Sequence, residues 1–218
     1  MSRKAYYPLF ADLQGRRCLV IGGGAVAQRK VTTLLGYGAE IILISPTATR
    51  RLMDYARQGR IRHIQRAFRP EDLKGVWLVY ASTDDERINA LVFRSATKRR
   101  IFTNVVDQPS LCSFIAPAIL RRDPLAIAVS TGGASPTIAK RIRSQLRRTV
   151  GVEYPRLLRL LASLREPAKH RLPTYQDRKR YFERLLEGRV PALVRAGRTQ
   201  AARRQALALL NAQAAERN

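Results

Sequence analysis

Three consecutive glycines, Gly22-Gly23-Gly24, stand between a run that reads as a strand and a run that reads as a helix, and this junction limits the fold more than any other feature. Before it lies the largely apolar Arg17-Cys18-Leu19-Val20-Ile21; after it, Ala27, Val31, Leu34 and Leu35 share one helical face. With Ala27 the junction satisfies Gly-x-Gly-x-x-Ala between strand and helix, the setting in which glycines let backbone approach a pyrophosphate. Amides at the helix start, with the positive end of the helix dipole, would meet the phosphate charge. Gly22, Gly24, Ala25 and Val26 are therefore candidate cofactor contacts. A glycine turn without a ligand uses the same residue types, so the reading rests on context more than on the motif.

The alternation continues. Gly36 and Gly38 stop the first helix, Glu40-Ile41-Ile42-Leu43-Ile44 reads as a buried strand, and a parallel beta-alpha-beta unit results. Further along come a helix over 50–58, strands over 61–65 and 77–81, a helix over 85–97, and a last strand over 101–106. Short apolar strands alternating with helices predict an α/β, Rossmann-like, mostly parallel sheet over residues 1–113. Two strand-like runs, 114–120 and 125–130, flank Arg121-Arg122-Asp123-Pro124 and predict an antiparallel pair. Ser135-Pro136 then opens a helix carrying Ile138, Ile142 and Leu146, so 114–150 forms a small central region. Residues 151–218 read as a helical C-terminal part, broken at Pro167 and Pro173, whose basic stretch after Pro191 reads as a further, frayed helix.

At the end of the second strand the chain has Ser45-Pro46-Thr47 where an acid usually grips the ribose, which leaves NAD only modestly favoured over NADP. Arg50 and Arg51 are close enough to suggest a 2'-phosphate site, although a solvated helix face is the plainer reading.

Charge narrows the partners. The chain has 41 Lys and Arg against 16 Asp and Glu, a net of +25, with 19 basic and 9 acidic residues up to position 113 and 22 and 7 beyond it. Such a balance speaks to steering and binding rather than to fold, and leaves nucleic acid, an anionic surface or a polyanionic small molecule open. Cys18 and Cys112 form no metal-type spacing, and neither His63 nor His170 sits in a cluster, so no metal site is expected. Met1 to Phe10 has no apolar core of a leader, no run is long enough to span a membrane, and a soluble cytoplasmic protein is expected.

Several ordered motifs then act together: Pro8-Leu9-Phe10, Val20 through Lys30, Ala81-Ser82-Thr83-Asp84-Asp85, Asn104-Val105-Val106-Asp107, Ser113-Phe114-Ile115-Ala116-Pro117 and Ser130-Thr131-Gly132-Gly133-Ala134-Ser135-Pro136. In order and spacing they resemble the dehydrogenase/ferrochelatase module of siroheme synthases, from about residue 6 to residue 188. The resemblance implies an NAD-binding Rossmann domain, a central dimerisation region and a helical C-terminal part, assembled as a homodimer whose central strands pack across the interface. It implies NAD-dependent oxidation of precorrin-2 to sirohydrochlorin, with Fe(II) insertion as an open second activity, and no methylation from this polypeptide.

On the same resemblance Asp107 is the general base, Thr83 and Asn104 are cofactor-side residues, and Ser113, Ser130, Thr131, Gly132 and Gly133 are placed to contact substrate carboxylates. For Thr131 a purely structural turn role is equally open. The tetrapyrrole's many carboxylates give the positive charge a purpose, with Arg121, Arg122, Lys140 and Arg141 as candidates. The rival readings are a Rossmann dehydrogenase for another small acid, and a basic NAD-binding regulator or nucleic-acid-binding protein on the same scaffold.

Overall fold

In the computed structural model, which describes residues 5–216, five short runs become one fully parallel sheet: β1 (Arg17–Ile21), β2 (Glu40–Ile44), β3 (Arg62–Ile64), β4 (Leu78–Ala81) and β5 (Phe102–Val105). The first four residues of the polar N-terminal segment, and the last two of the basic tail, lie outside the described residues. The strand order is β3-β2-β1-β4-β5, so the chain leaves β1 first to one side and then to the other. That reversal opens a crevice at the carboxyl ends of β1 and β4, where ligands of open sheets bind.

The described residues fall into two compact units, one reaching residue 116 and including 132–134, the other made of 117–131 and everything from 135 onward. In the first, helices cover both faces because alternate strand residues point opposite ways. Cys18, Val20, Leu43 and Tyr80 pack with Ala27, Val31 and Leu34 of α1 (Ala25–Leu35) and with Leu52 and Tyr55 of α2 (Arg50–Arg57). Leu19, Ile21, Val79, Ala81 and Val105 pack on the other face with Val92 and Ala96 of α3 (Glu86–Lys98).

The second unit begins with an antiparallel hairpin, β6 (Ala118–Arg122) and β7 (Leu125–Val129). Here the structure moves the expected boundary. Arg122 pairs with Leu125, so the turn shrinks to Asp123-Pro124 and both arginines are strand residues. Phe114, expected in that strand, packs against the core of the first unit instead. The helix α4 (Pro136–Thr149) starts where Ser135 Oγ accepts from the Ile138 amide, but Ile138 and Ile142 are 53% and 38% exposed in the single chain and Ala139 is the buried residue.

Two further expectations are corrected in the helical part. Pro167 does not break a helix but lies inside α5 (Glu153–Arg171). A proline there forfeits one helical hydrogen bond and costs about 3 kcal/mol. Leu160, Leu164 and Ala168 offset this, forming a buried ladder at four-residue spacing, with fully buried leucines contributing roughly 1.5–3 kcal/mol each. The break comes later, at Leu172-Pro173, ahead of α6 (Tyr175–Glu187).

Nor is the stretch after Pro191 frayed. It forms α7 (Val190–Arg195) and α8 (Thr199–Ala215), and Ala202, Ala206 and Leu210 of α8 are fully buried. The Tyr181 hydroxyl donates to the Ala206 carbonyl at 2.9 Å, and Gln213 Nε2 donates to the Asp177 carbonyl at 2.7 Å. Alanine and arginine composition disguised a core helix, because alanines pack closely without adding to apolar periodicity.

Candidate active site

At the turn after β1 the three glycines do different work. Gly22 has φ +104°, and a Cβ on it would lie 2.3 Å from the Ser82 carbonyl oxygen. On Gly23 a Cβ would lie 1.8 Å from the Thr47 carbonyl oxygen. The β1 turn is thus wedged between the loops that follow β4 and β2, tied by Gly22 N–H to the Ile44 carbonyl, Ser82 N–H to the Ile21 carbonyl and Thr49 N–H to the Gly23 carbonyl. Around Gly24 the space is open, and no side chain caps α1.

The first helical bond of α1 runs from Gln28 N–H to the Gly24 carbonyl, so the Ala25 and Val26 amides precede the intrahelical ladder. Ala25 is exposed, Val26 half-buried, and Ala27 is packed beneath them. An open glycine, uncapped amides and a positive helix end fit the pyrophosphate of a dinucleotide.

Past β2, Ser45 is buried while Pro46 and Thr47 are exposed. His63 Nε2 lies 3.2 Å from Ser45 Oγ and 3.1 Å from the Ser45 carbonyl oxygen, so the carbonyl contact needs the proton on Nε2. Thr49 Oγ1 donates to Gln28 Oε1 at 2.7 Å, binding this loop to α1. Arg51 Nε donates to its own helix neighbour Tyr55 at 2.9 Å, which favours the helix-face reading over a phosphate site.

Beyond β4, Thr83 and Asn89 clasp each other: Thr83 Oγ1 stands 3.0 Å from Asn89 Oδ1, and Asn89 Nδ2 donates to the Thr83 carbonyl at 2.9 Å. Asn104 on β5 is buried, its Nδ2 donating to the Phe114 carbonyl at 3.0 Å. Ser113 doubles this tether, since its hydroxyl accepts from the Thr103 amide at 2.8 Å and its own amide donates to the Thr103 carbonyl at 2.8 Å. The Cys112 thiol donates to the Val105 carbonyl at 3.2 Å. Asp107 stands exposed within this stapled loop at φ +59°, a left-handed conformation that costs a non-glycine residue about 1–2 kcal/mol. Its carboxylate is thereby presented just past the carboxyl end of β5.

The turn expected to contact substrate lies apart in sequence. Thr131 Oγ1 accepts from Ser135 N–H at 3.0 Å and lies 3.1 Å from the Ser135 carbonyl oxygen, so its hydroxyl closes the turn. Ser130, Gly132 and Gly133 are exposed, the glycines at φ +63° and +88°. In the second unit Arg121 and Arg122 join Arg143 and Arg147, which sequence reasoning did not single out, around a groove of about 280 Å³. Arg122 Nη2 donates to the Arg147 carbonyl at 3.2 Å, while Lys140 and Arg141 are exposed on α4. Sequence reasoning also did not single out the contact of Lys30 Nζ with the Tyr80 ring, 4.6 Å from its centroid, although Lys30 closes the Val20–Lys30 motif. Among the described residues no cluster of three or more His, Cys, Asp or Glu is placed to hold a metal, and no helix is long and apolar enough to cross a membrane.

Three family models match consecutive stretches: "Putative NAD(P)-binding" over residues 9–118, "Sirohaem biosynthesis protein central" over 122–149 and "Sirohaem synthase dimerisation region" over 153–210. Siroheme synthase of Methylobacillus flagellatus is 41% identical over 196 residues, which is 90% of this chain and 42% of the relative. Siroheme synthase of Thioalkalivibrio sulfidiphilus is 42% identical over 198 residues, 91% of this chain and 40% of the relative. The chain thus spans about two fifths of the length of these curated relatives. The solved structure of SirC, precorrin-2 dehydrogenase, superposes with a TM-score of 0.75 at 26% identity, over 94% of this chain and 99% of the other. With its dinucleotide cradle, parallel sheet and helical continuation all matched, the chain belongs to the siroheme synthase N-terminal-type, precorrin-2 dehydrogenase family of NAD(P)-binding proteins.

Proposed function

We propose that this chain oxidises precorrin-2 to sirohydrochlorin with NAD, a step of siroheme biosynthesis, as a cytoplasmic homodimer. The observation that carries this reading is the likeness to SirC along almost the whole of both chains. The division into a Rossmann domain to 113, a central region to 150 and a helical part beyond is retained with it. The exposed Ile138 and Ile142, and the match of 153–210 to a dimerisation region, support the dimer.

NAD supplies the hydride acceptor when bound, and the remaining work falls to side chains and amides of this chain. Gly22 and Gly23 bring three loops together, and Gly24, Ala25 and Val26 offer backbone to the pyrophosphate. Ser45, Pro46 and Thr47 line the ribose side, and Thr83 and Asn104 shape the walls of the crevice through their own hydrogen bonds. Asp107 takes the proton that the macrocycle must lose as its hydride leaves, so two electrons and two hydrogens depart together. Ser113 and Thr131 act by holding their turns, and Ser130, Gly132 and Gly133 face substrate carboxylates.

Iron insertion belongs to the same reading as a second activity, with Fe(II) as substrate and two pyrrole protons released. Anaerobic incubation with precorrin-2 and NAD tests both. NADH formed in step with sirohydrochlorin supports the dehydrogenase, and an Fe(II)-dependent siroheme spectrum supports the chelatase. Silence with both NAD and NADP, joined to a salt-steep affinity for random DNA, returns the chain to the nucleic-acid-binding alternative.

A further inference from the structure

Lys30 is a half-buried charged group that none of these roles uses. It leaves α1 three positions after Ala27, and its Nζ lies 4.6 Å from the centroid of the Tyr80 ring. Tyr80 is itself buried in β4, opposite Asn104 of β5, and meets the Phe114 ring edge-on at 5.4 Å. A cation over an aromatic face is stabilised by the ring quadrupole, but the ring offers its N–H donors no lone pair. Among the described residues the Lys30 ammonium has neither a hydrogen-bond acceptor nor an ion-pair partner.

A half-buried ammonium with unused donors is costly unless an anion meets it. Burial is the main cause holding Lys30 below the usual lysine range; Arg29 adds to that, while Cys112 and Asp107 pull the other way. Asp107 is therefore close enough for the two charges to act on each other.

Position decides which anion. The sheet order places β4 and β5 on one side of β1 and β2 on the other. Lys30 is braced on β4, the Asp107 side, whereas Ser45, Pro46 and Thr47 follow β2. Its Cα also lies about 7–8 Å along the helix from Ala25, at 1.5 Å per residue, away from the amides that suit a pyrophosphate.

We propose that Lys30, braced on Tyr80, anchors a carboxylate side chain of the tetrapyrrole through a charge-assisted hydrogen bond while the macrocycle lies against Asp107. This rests on the function proposed above. Held over the Tyr80 ring, the ammonium places a half-buried point charge at one position, which the exposed arginines do not.

An unreactive octacarboxylate porphyrin, uroporphyrin, is titrated into wild-type, Lys30→Met and Lys30→Arg proteins at constant salt, with NAD titrated in parallel. Lys30→Met is expected to weaken the porphyrin about tenfold, Lys30→Arg to stay within about threefold of wild type, and NAD affinity to be equal in all. Unchanged thermal midpoints show that both variants fold. Equal porphyrin affinity in wild type and Lys30→Met overturns the anchor and leaves the proposed function standing. A loss that falls on NAD instead moves the cation to the cofactor and also overturns it. A wild-type protein that binds NAD but not the porphyrin sinks the functional reading and this inference with it.

Discussion

Two glycine turns each lead into a helix, and they keep their glycines for different reasons. At Gly22-Gly23-Gly24 space is limiting, because a Cβ on either of the first two would overlap backbone of a neighbouring loop, and positive φ is an added limit at Gly22 alone. At Gly132-Gly133 the limit is conformation: both have positive φ, yet a Cβ on either meets nothing within 4 Å. The first turn is a packed joint between three strand ends, the second a bend with room for a Cβ at both glycines. Identical dipeptides in a sequence can therefore differ by several-fold in what they contribute, and the difference is open to measurement.

Gly23→Ala attacks the joint alone, since Gly23 does not have a positive φ and the methyl group meets the Thr47 carbonyl oxygen. Relieving the overlap requires the loop after β2 to move off the turn, taking the Thr49-to-Gly23 hydrogen bond with it. We expect a loss above about 3 kcal/mol in urea unfolding, or no folded protein, and no measurable dinucleotide affinity where folding survives. Near-wild-type stability and NAD binding would show that the wedge is soft and would erase the contrast.

Asp107, like Arg100, is a non-glycine residue with positive φ, so a side chain is retained there at the expense of backbone strain. If the carboxylate is the reason, Asp107→Asn should lower kcat for precorrin-2 oxidation by about 10²–10⁴-fold while keeping NAD affinity and stability. Asp107→Gly relieves the strain and should be as inactive. A glycine variant that keeps turnover would reduce Asp107 to a turn former like Gly132.

The contrast also explains what could be read without coordinates. The sheet was legible because Leu19, Val20, Ile21 and their counterparts sit in short runs buried on both faces, which leave an unbroken apolar signal. The cradle was legible because the glycines lie where strand meets helix. The Lys30 contact was not, because it depends on a ring fifty residues away in β4. The roles of Ser113 and Thr131 were obscured for a related reason: a hydroxyl looks the same whether it faces a ligand or, as in these two, its own backbone. Pro167 misled because local propensity is overruled by the burial of Leu164 and Ala168.

Alkaline pH offers a milder way to separate the turns. Cys18 is fully buried in β1, directly before the first turn, and burial pushes its thiol up to about 11 from 9.0. Below pH 9 folded and unfolded chains both hold the proton, and stability does not change on its account. Above pH 9 the unfolded chain releases it while the folded chain keeps it, so stability falls until about pH 11, by about 3 kcal/mol. Between pH 9 and 10 this decline should vanish in Cys18→Ala; above pH 10 the buried phenol of Tyr80, also raised, and that of Tyr181, raised to about 12, add their own. An equal slope in the alanine variant would assign the alkaline loss to other groups.

Gly132→Ala is expected to have the smallest effect. Its methyl group enters open space, and only the left-handed conformation at φ +63° opposes it, which costs about 1 kcal/mol. Gly132→Asn should cost less, because asparagine tolerates that region. Urea unfolding of the two variants beside Gly23→Ala sets conformation against overlap on one scale, and NAD affinity should stay at the wild-type value in both. A porphyrin affinity that drops in Gly132→Ala but not in Gly132→Asn would mean that backbone conformation matters to the ligand too. A loss above about 3 kcal/mol would mean that the second turn is packed as tightly as the first.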